Sequence, residues 1–357
     1  MYDVAIIGAG PAGATLARLI SDRYHVLLVD KKQPVDTNSD DFSGKCCGGL
    51  LAPDAQGMLS KMGLGLPKSV LVDPQLFVVR AIDVRQRTER YYQRYYINMN
   101  RMRFDSWLLS MVPPGVDIRL GCRFKSYETA GDSVSIKLVQ NGKIQIEQAR
   151  ILVGADGASS RIRKQAIGRR PFPKFYFAIQ EWVKADGQLP YFSTLFDPEI
   201  TDYYCWTIPK EDFLVIGAAL HPKHNIPDRF GLLKEKLKDN GLGFGKVIRR
   251  EAAFILRPTK LEQLSTGTES VALLGEAGGW ISPSSAEGLS YAFRTALILA
   301  EVLKKSPDDF QQRFRQKTEM LRRNIFIKNL KSHFIYGSLL RNIVMKSGLQ
   351  SMRIYKS

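Results

Sequence analysis

Cysteine and histidine are scarce in this chain, four of each among 357 residues, and no two cysteines form a C-x-x-C pair. That excludes a zinc ribbon and a secreted disulfide framework, both of which need cysteines paired at short spacing. It fits a reduced, cytoplasmic chain. His221 and His224 in "HPKH" have no further His or Cys nearby, so the pair reads as a solvated loop and no metal is expected. Cys46 and Cys47 are adjacent in "SGKCCGGLLAP" (43–53). Neighbouring Cα atoms sit about 3.8 Å apart, below the disulfide window of about 4.4 to 6.8 Å, so no bond is expected between them. No apolar run approaches the roughly 18 residues needed to span a bilayer. The opening "MYDVAIIGAG" has neither a basic stretch nor a small-residue cleavage site, and no secretory leader is expected.

Acidic residues are also in short supply. Against 52 Lys and Arg there are 35 Asp and Glu, a net charge of +17, which favours an anionic partner. The imbalance is strongest near the C-terminus. Between Arg313 and Lys356 the sole acid is Glu319, while Arg322, Arg323, Lys328, Lys331, Arg341, Lys346 and Arg353 alternate with Leu321, Ile325, Phe326, Ile327, Leu330, Phe334, Leu339, Leu340, Ile343 and Val344. This is the pattern of basic amphipathic helices. Such helices either pack on the body with a solvated basic face or lie on an anionic membrane surface. Both readings stay open, with the protein cytoplasmic and peripheral at the inner face of the membrane in the second.

The length suits about two domains. "YDVAIIGAGPAGATLARLI" reads as a buried strand, a glycine turn and a helix. Gly8 permits the tight turn, Gly10 lets backbone approach a pyrophosphate, and Gly13 with Ala17 lets the helix lie close to the strand. The next strand, "YHVLLVD", ends at Asp30, about 20 residues beyond the central glycine, where an acid holds ribose hydroxyls. The motif therefore implies a dinucleotide site. "NGLGFG" (240–245) follows the helical "FGLLKEKLKD" instead of a strand and reads as a helix end and turn. With no second dinucleotide module, an electron donor, NAD(P)H or an acidic redox protein, must bind transiently.

"LVGADGASSRIR" (152–163), with Gly154, Asp156, Gly157, Ser160 and Arg163, and "VALLGEAGGWISPSSAEGLSYAF" (271–293) resemble the second and third fingerprints of the glutathione-reductase-type FAD fold. The resemblance implies an α/β, Rossmann-like FAD-binding fold and FAD as cofactor, with Glu276 standing where the family has Asp. "INMNRMRFDSWL" resembles the segment whose arginine approaches the cofactor, here Arg101. The resemblance also assigns Ala12, Lys31, Gly275 and Gly288 to the cofactor surface. "YYCWTIPKEDFLVIGAA" (203–219) resembles the Y-x-W-x-F-P, spacer, G-x-G signature of geranylgeranyl reductases, with Ile208 in place of Phe and Ala219 in place of Gly. "KCCGGLLAPDAQ" resembles that family's P-C-G-G-G segment, Cys47 matching its cysteine and Cys46 its proline.

The resemblance to the geranylgeranyl reductase family implies a discontinuous FAD domain (1–74, 100–170 and 266–305), a β-sheet-rich substrate domain (75–99 and 171–265) and a C-terminal helical segment (306–357). It implies FAD-dependent reduction of carbon–carbon double bonds in an apolar prenyl-type substrate, with no nucleic acid as partner. Tyr204 and Trp206 would line an apolar channel. Cys47 would lie beside the flavin and place or protonate the alkene, since a free thiol with the ordinary pKa near 8.5 still carries its proton at neutrality. Gly48 and Gly49 would bind the cofactor by offering no side chain to hold it off. Two alternatives stand beside this: a flavin monooxygenase or halogenase, whose lysine beside the substrate has no evident counterpart, and a non-catalytic FAD-bearing membrane-associated resistance protein.

Overall fold

The computed structural model describes residues 1–33, 46–168, 171–187 and 190–355. Residues 43–45 of the cysteine stretch and Lys356 of the tail lie outside them. In chain order the elements are β1 (Tyr2–Ile7), α1 (Pro11–Ile20), β2 (Val26–Val29), β3 (Leu50–Leu51), α2 (Pro53–Lys61), β4 (Leu76–Asp83), β5 (Thr88–Asn98), α3 (Arg101–Ser110), β6 (Asp117–Arg119), β7 (Cys122–Ala130), β8 (Ser133–Gln140), β9 (Lys143–Gly154) and α4 (Arg161–Ile167). Then come β10 (Lys174–Ala185), β11 (Phe192–Phe196), β12 (Cys205–Lys210), β13 (Phe213–Leu220), α5 (Ile226–Asp239), β14 (Phe244–Arg257), β15 (Gly267–Thr268), β16 (Val271–Leu273), α6 (Leu289–Lys305), α7 (Phe310–Lys317), α8 (Glu319–Tyr336) and α9 (Ser338–Ser347). They fall into two compact units: 1–41, 102–174 and 256–328, and 42–101, 175–255 and 329–357.

In the first unit, β16, β9, β1, β2 and β6 lie side by side and parallel. β7 and β8 fold back antiparallel beside β9. A parallel strand covered on both faces must be apolar on both, which is why "VAII" in β1 and "VLLV" in β2 run without alternation and are buried. The chain leaves β1 for β2 on one side and returns to β9 on the other, so the order reverses at β1. Gly154 pairs with both Ile7 and Leu273. The loops after β1, β9 and β16 therefore emerge together at the carboxyl edge of the sheet, where α/β folds bind their ligands.

The second unit holds a sheet in the order β14-β10-β13-β12-β11-β4-β5-β3. Antiparallel pairing dominates, with β11 parallel to β4. Helix α5 covers one face through Phe230, Leu233 and Leu237, packed with Cys205, Leu214, Ile216 and Ala218. "NGLGFG" closes that helix as the sequence suggests, with Gly241 in the left-handed region (φ +79°) and Leu242 N donating to Leu237 O. Cys46, Cys47, Cys122 and Cys205 form no disulfide among the described residues.

The unit boundaries depart from the sequence reading in two places. Residues 46–74, placed there with the FAD domain, belong to the second unit, because β3 pairs with β5 and Val72 N donates to Asn98 O. The C-terminal segment is divided: Leu321 and Ile325 join a core with Trp280 and Tyr291 in the first unit, whereas Met345 packs with Ala81 and Phe196 in the second. Arg341, counted among the tail's surface cations, is instead buried, its Nε 2.8 Å from Asp83 Oδ2 and its guanidinium over the Phe196 ring.

Removing one partner of a buried pair strands the other charge. Arg341→Ala should therefore lower stability by about 3–5 kcal/mol in urea denaturation, and Asp83→Ala added to it should cost little more. A loss confined to the surface-residue range of about 0.5 kcal/mol would contradict the pairing.

Candidate functional site

In the first unit the glycine turn is built by contacts that exclude side chains. Gly8 has φ +109°, and a Cβ there would stand 2.4 Å from Ala155 O. At Gly13 it would stand 1.8 Å from Gly8 O, so the helix and the turn touch through backbone. Gly10 differs: a Cβ would meet nothing within 4 Å. It is the N-cap of α1, has no side-chain cap, and is followed by Pro11 in the first turn. The helix thus presents its positive end to open space, a ready anion site. Asp30 braces the turn, Oδ2 accepting from Ala9 N at 2.7 Å and Oδ1 from Lys32 N at 2.8 Å. Lys31 is exposed next to it.

The second and third loops meet the first. Asp156 Oδ2 accepts from Arg161 N at 2.9 Å. Its Oδ1 is buried without a partner among the described residues, and burial raises the carboxyl above its ordinary range. Gly157 has φ +76°, with open space where a Cβ would be. Gly275 faces Ala12: its missing Cβ would lie 3.6 Å from Ala12 Cβ, and its N–H donates to Thr295 Oγ1. Glu276 Oε1 accepts from Leu256 N at 2.9 Å. Gly288 caps α6. Arg163 ties the two loops together, donating to Ala277 O at 3.2 Å and Gln263 O at 2.6 Å. Burial lowers its pKa to about 10.

The remaining sequence candidates collect in the second unit. Alternate residues of a strand share a face, and on β12 one face carries Trp206, Ile208 and Lys210, with Tyr204 just before it. Tyr204 and Trp206 lie 5.6 Å apart by ring centroid. Gly217, opposite Trp206 in the ladder, leaves the indole its space, since a Cβ there would fall 2.3 Å from the ring. Trp206 Nε1 has no partner among the described residues. Burial holds the Tyr204 hydroxyl well above its ordinary pKa.

The cysteine loop lies on this face. Cys46 is buried and donates to Ala178 O. Cys47 is partly exposed; its Sγ accepts from Gly49 N at 3.5 Å and from Arg101 Nη1 at 3.4 Å. Arg101 thus lies beside the thiol, in the second unit. Gln180 Nε2 donates to Cys47 O and to Glu251 Oε2. The glycines need a different explanation from the one the sequence suggested. A Cβ at Gly48 would strike Ile208 Cδ1 at 2.5 Å, and one at Gly49 would strike Met99 O at 2.3 Å and Lys210 Nζ at 2.7 Å. Their bareness makes room for protein atoms.

Lys210 is a residue the sequence reading passed over. It is 2% exposed, and its Nζ donates to Asn98 Oδ1 at 2.6 Å, Met99 O at 2.9 Å and Gly49 O at 3.3 Å. Burial pushes its pKa down to about 7. The usable signal was its period-two spacing after Tyr204, Trp206 and Ile208. Among the described residues, no group of three or more His, Cys, Asp or Glu is placed to hold a metal.

The sequence pattern of the FAD-binding domain family matches residues 1–225. Protein CbrA of Escherichia coli is 40% identical over 348 residues, 98% of this chain and 94% of that relative. A geranylgeranyl bacteriochlorophyll reductase-like protein from Thermoplasma acidophilum superposes with a TM-score of 0.80 over 94% of this chain and 87% of its own, at 19% identity. A flavin-dependent brominase superposes at 0.70 over 98% and 94%, at 18% identity. At such identities the two structures establish the fold alone. The space beyond Gly10, the uncapped helix end and the unpartnered Asp156 oxygen fit FAD as the cofactor.

Two outcomes follow. Gly10→Val puts side-chain carbons where the phosphates belong, so the purified variant should lose its flavin absorbance; full flavin content would refute the placement. Lys210→Met removes the donor shared by three acceptors and should cost about 1–3 kcal/mol. From about pH 7 up to the ordinary lysine range the unfolded chain holds a proton that the folded chain has shed. The lysine's contribution to stability therefore rises with pH across that window. Urea midpoints at pH 6 and pH 9 should show native stability gaining on the variant at the higher pH; an unchanged difference would contradict the buried amine.

Proposed function

The chain belongs to the FAD-binding domain family as an oxidoreductase-type flavoprotein, and from that premise we propose that it reduces carbon–carbon double bonds of a geranylgeranyl-type polyprenyl chain. The observation that carries this reading is the face of β12. Tyr204, Trp206 and Ile208 form an apolar, largely aromatic wall, and one thiol, Cys47, lies on the loop packed against it. Apolar sites with a few placed polar groups suit a hydrocarbon that needs orienting at one bond.

Bound and reduced, FAD supplies the hydride. An isolated alkene accepts hydride poorly, so delivery of a proton to the second carbon is a central requirement. Cys47 Sγ–H gives that proton and becomes a thiolate, which water reprotonates. The Arg101 guanidinium, 3.4 Å from Sγ, stabilises the thiolate in the interval. Gln180 holds the Cys47 carbonyl, and Lys210 holds Gly49 and Met99, so the thiol sits on a fixed backbone. Each turn saturates one bond and uses two electrons, drawn from NAD(P)H or an acidic redox protein.

Oxygen or halogen chemistry is the second reading, favoured by Ile208, which stands where flavin halogenases carry the isoleucine of a W-x-W-x-I-P signature, and by the brominase fold. Lys210 speaks against its halogen form. It is the buried lysine among the described residues, and its ammonium is committed to Gly49, Asn98 and Met99.

Anaerobic reduction of the flavoprotein followed by addition of prenyl diphosphates, prenyl lipids or oxygen separates the readings. Reoxidation by a prenyl compound faster than by oxygen is expected. Rapid reoxidation by oxygen alone would favour the second reading, and a flavin that no donor reduces would favour a non-catalytic protein. Cys47→Ser should retain FAD and slow prenyl reoxidation about 10²-fold or more, the usual scale for a lost proton donor, with Cys46→Ala near native. Equal small effects would reduce both thiols to packing.

A further inference from the structure

Surface helices ordinarily bury apolar side chains and expose charged ones. In α9 part of that order is inverted. Arg341 and Met345, one turn apart, face the sheet of the second unit and are 6% and 2% exposed. Leu339 and Ile343 are 79% and 66% exposed. Leu330 and Phe334 in the last turns of α8, Leu340, and Leu349 and Met352 beyond α9 are exposed too. Lys331, Lys346 and Arg353 are exposed among them. From residue 320 to the end the sequence has no Asp or Glu.

We propose that this surface, centred on Leu339, Ile343 and Lys346, docks the protein on an anionic lipid bilayer. The inward anchor is rigid, a buried Arg341–Asp83 pair with Met345 in the core, so the outward face is held in place. Apolar side chains displayed beside cations, with no acid in the segment, match the boundary between acyl chains and phosphate headgroups. The attachment is interfacial: no helix among the described residues is long and apolar enough to cross a membrane. The proposal does not depend on the substrate.

The full-length protein is tested by flotation with vesicles of phosphatidylcholine alone and of phosphatidylcholine with phosphatidylglycerol. Binding to the anionic vesicles is expected, weakening as salt rises. The double variant Leu339→Gln/Ile343→Gln and the single variant Lys346→Glu should each weaken it about tenfold or more, with flavin content and urea midpoint unchanged. Failure to bind anionic vesicles, native-like binding by both variants, or equal binding to neutral vesicles in high salt would overturn the proposal. So would a dimer in gel filtration that the double variant dissociates, since a second copy would then be what covers the face.

Discussion

One ammonium group organises the second unit. Lys210 Nζ gathers Gly49 O, Asn98 Oδ1 and Met99 O, and so joins the cysteine loop to the end of β5. Its position also dictates the local sequence. Gly49 cannot carry a side chain, Gly48 must yield to Ile208, and Asn98 spends its amide on Pro74 O and Pro209 O. A cation held inside a sheet needs its protons taken. The result is a thiol, Cys47, whose backbone is held on both sides, by Gln180 at its own carbonyl and by Lys210 at Gly49 O.

The first unit meets a comparable demand for fixed backbone by a different route. There the constraint is close approach: Gly8 against Ala155 and Gly13 against Gly8. Where a Cβ would collide, glycine serves the fold; at Gly10 and Gly157 a Cβ would meet nothing within 4 Å, so packing does not explain the glycine. A motif by itself cannot distinguish the two cases. At Gly48 and Gly49 the same question resolves in favour of packing, so the cysteine loop owes its shape to Ile208 and Lys210.

Much of the first unit was legible because its signals are local. The β1 turn α1 sequence, Asp30 at the end of β2 and the two later fingerprints each occupy a short stretch with its own periodicity. Features set by distant pairing were less so. Residues 46–74 join the second unit through contacts with β5 that no local pattern announces. Lys210 reads as an exposed strand residue until its acceptors are found. Arg341 looks like one more basic tail residue, yet it is buried against Asp83. That Trp206 and Ile208 share a face, with Tyr204 just before them, was legible because their spacing is the strand period itself, although its meaning depends on the loop that covers it.

The proposed reaction adds hydrogen to a prenyl double bond. Mass analysis of a geranylgeranyl compound after incubation with the reduced holoenzyme reads that addition out. A product that has gained two hydrogens for each bond saturated and nothing else is expected. A product that has gained oxygen or halogen would contradict it.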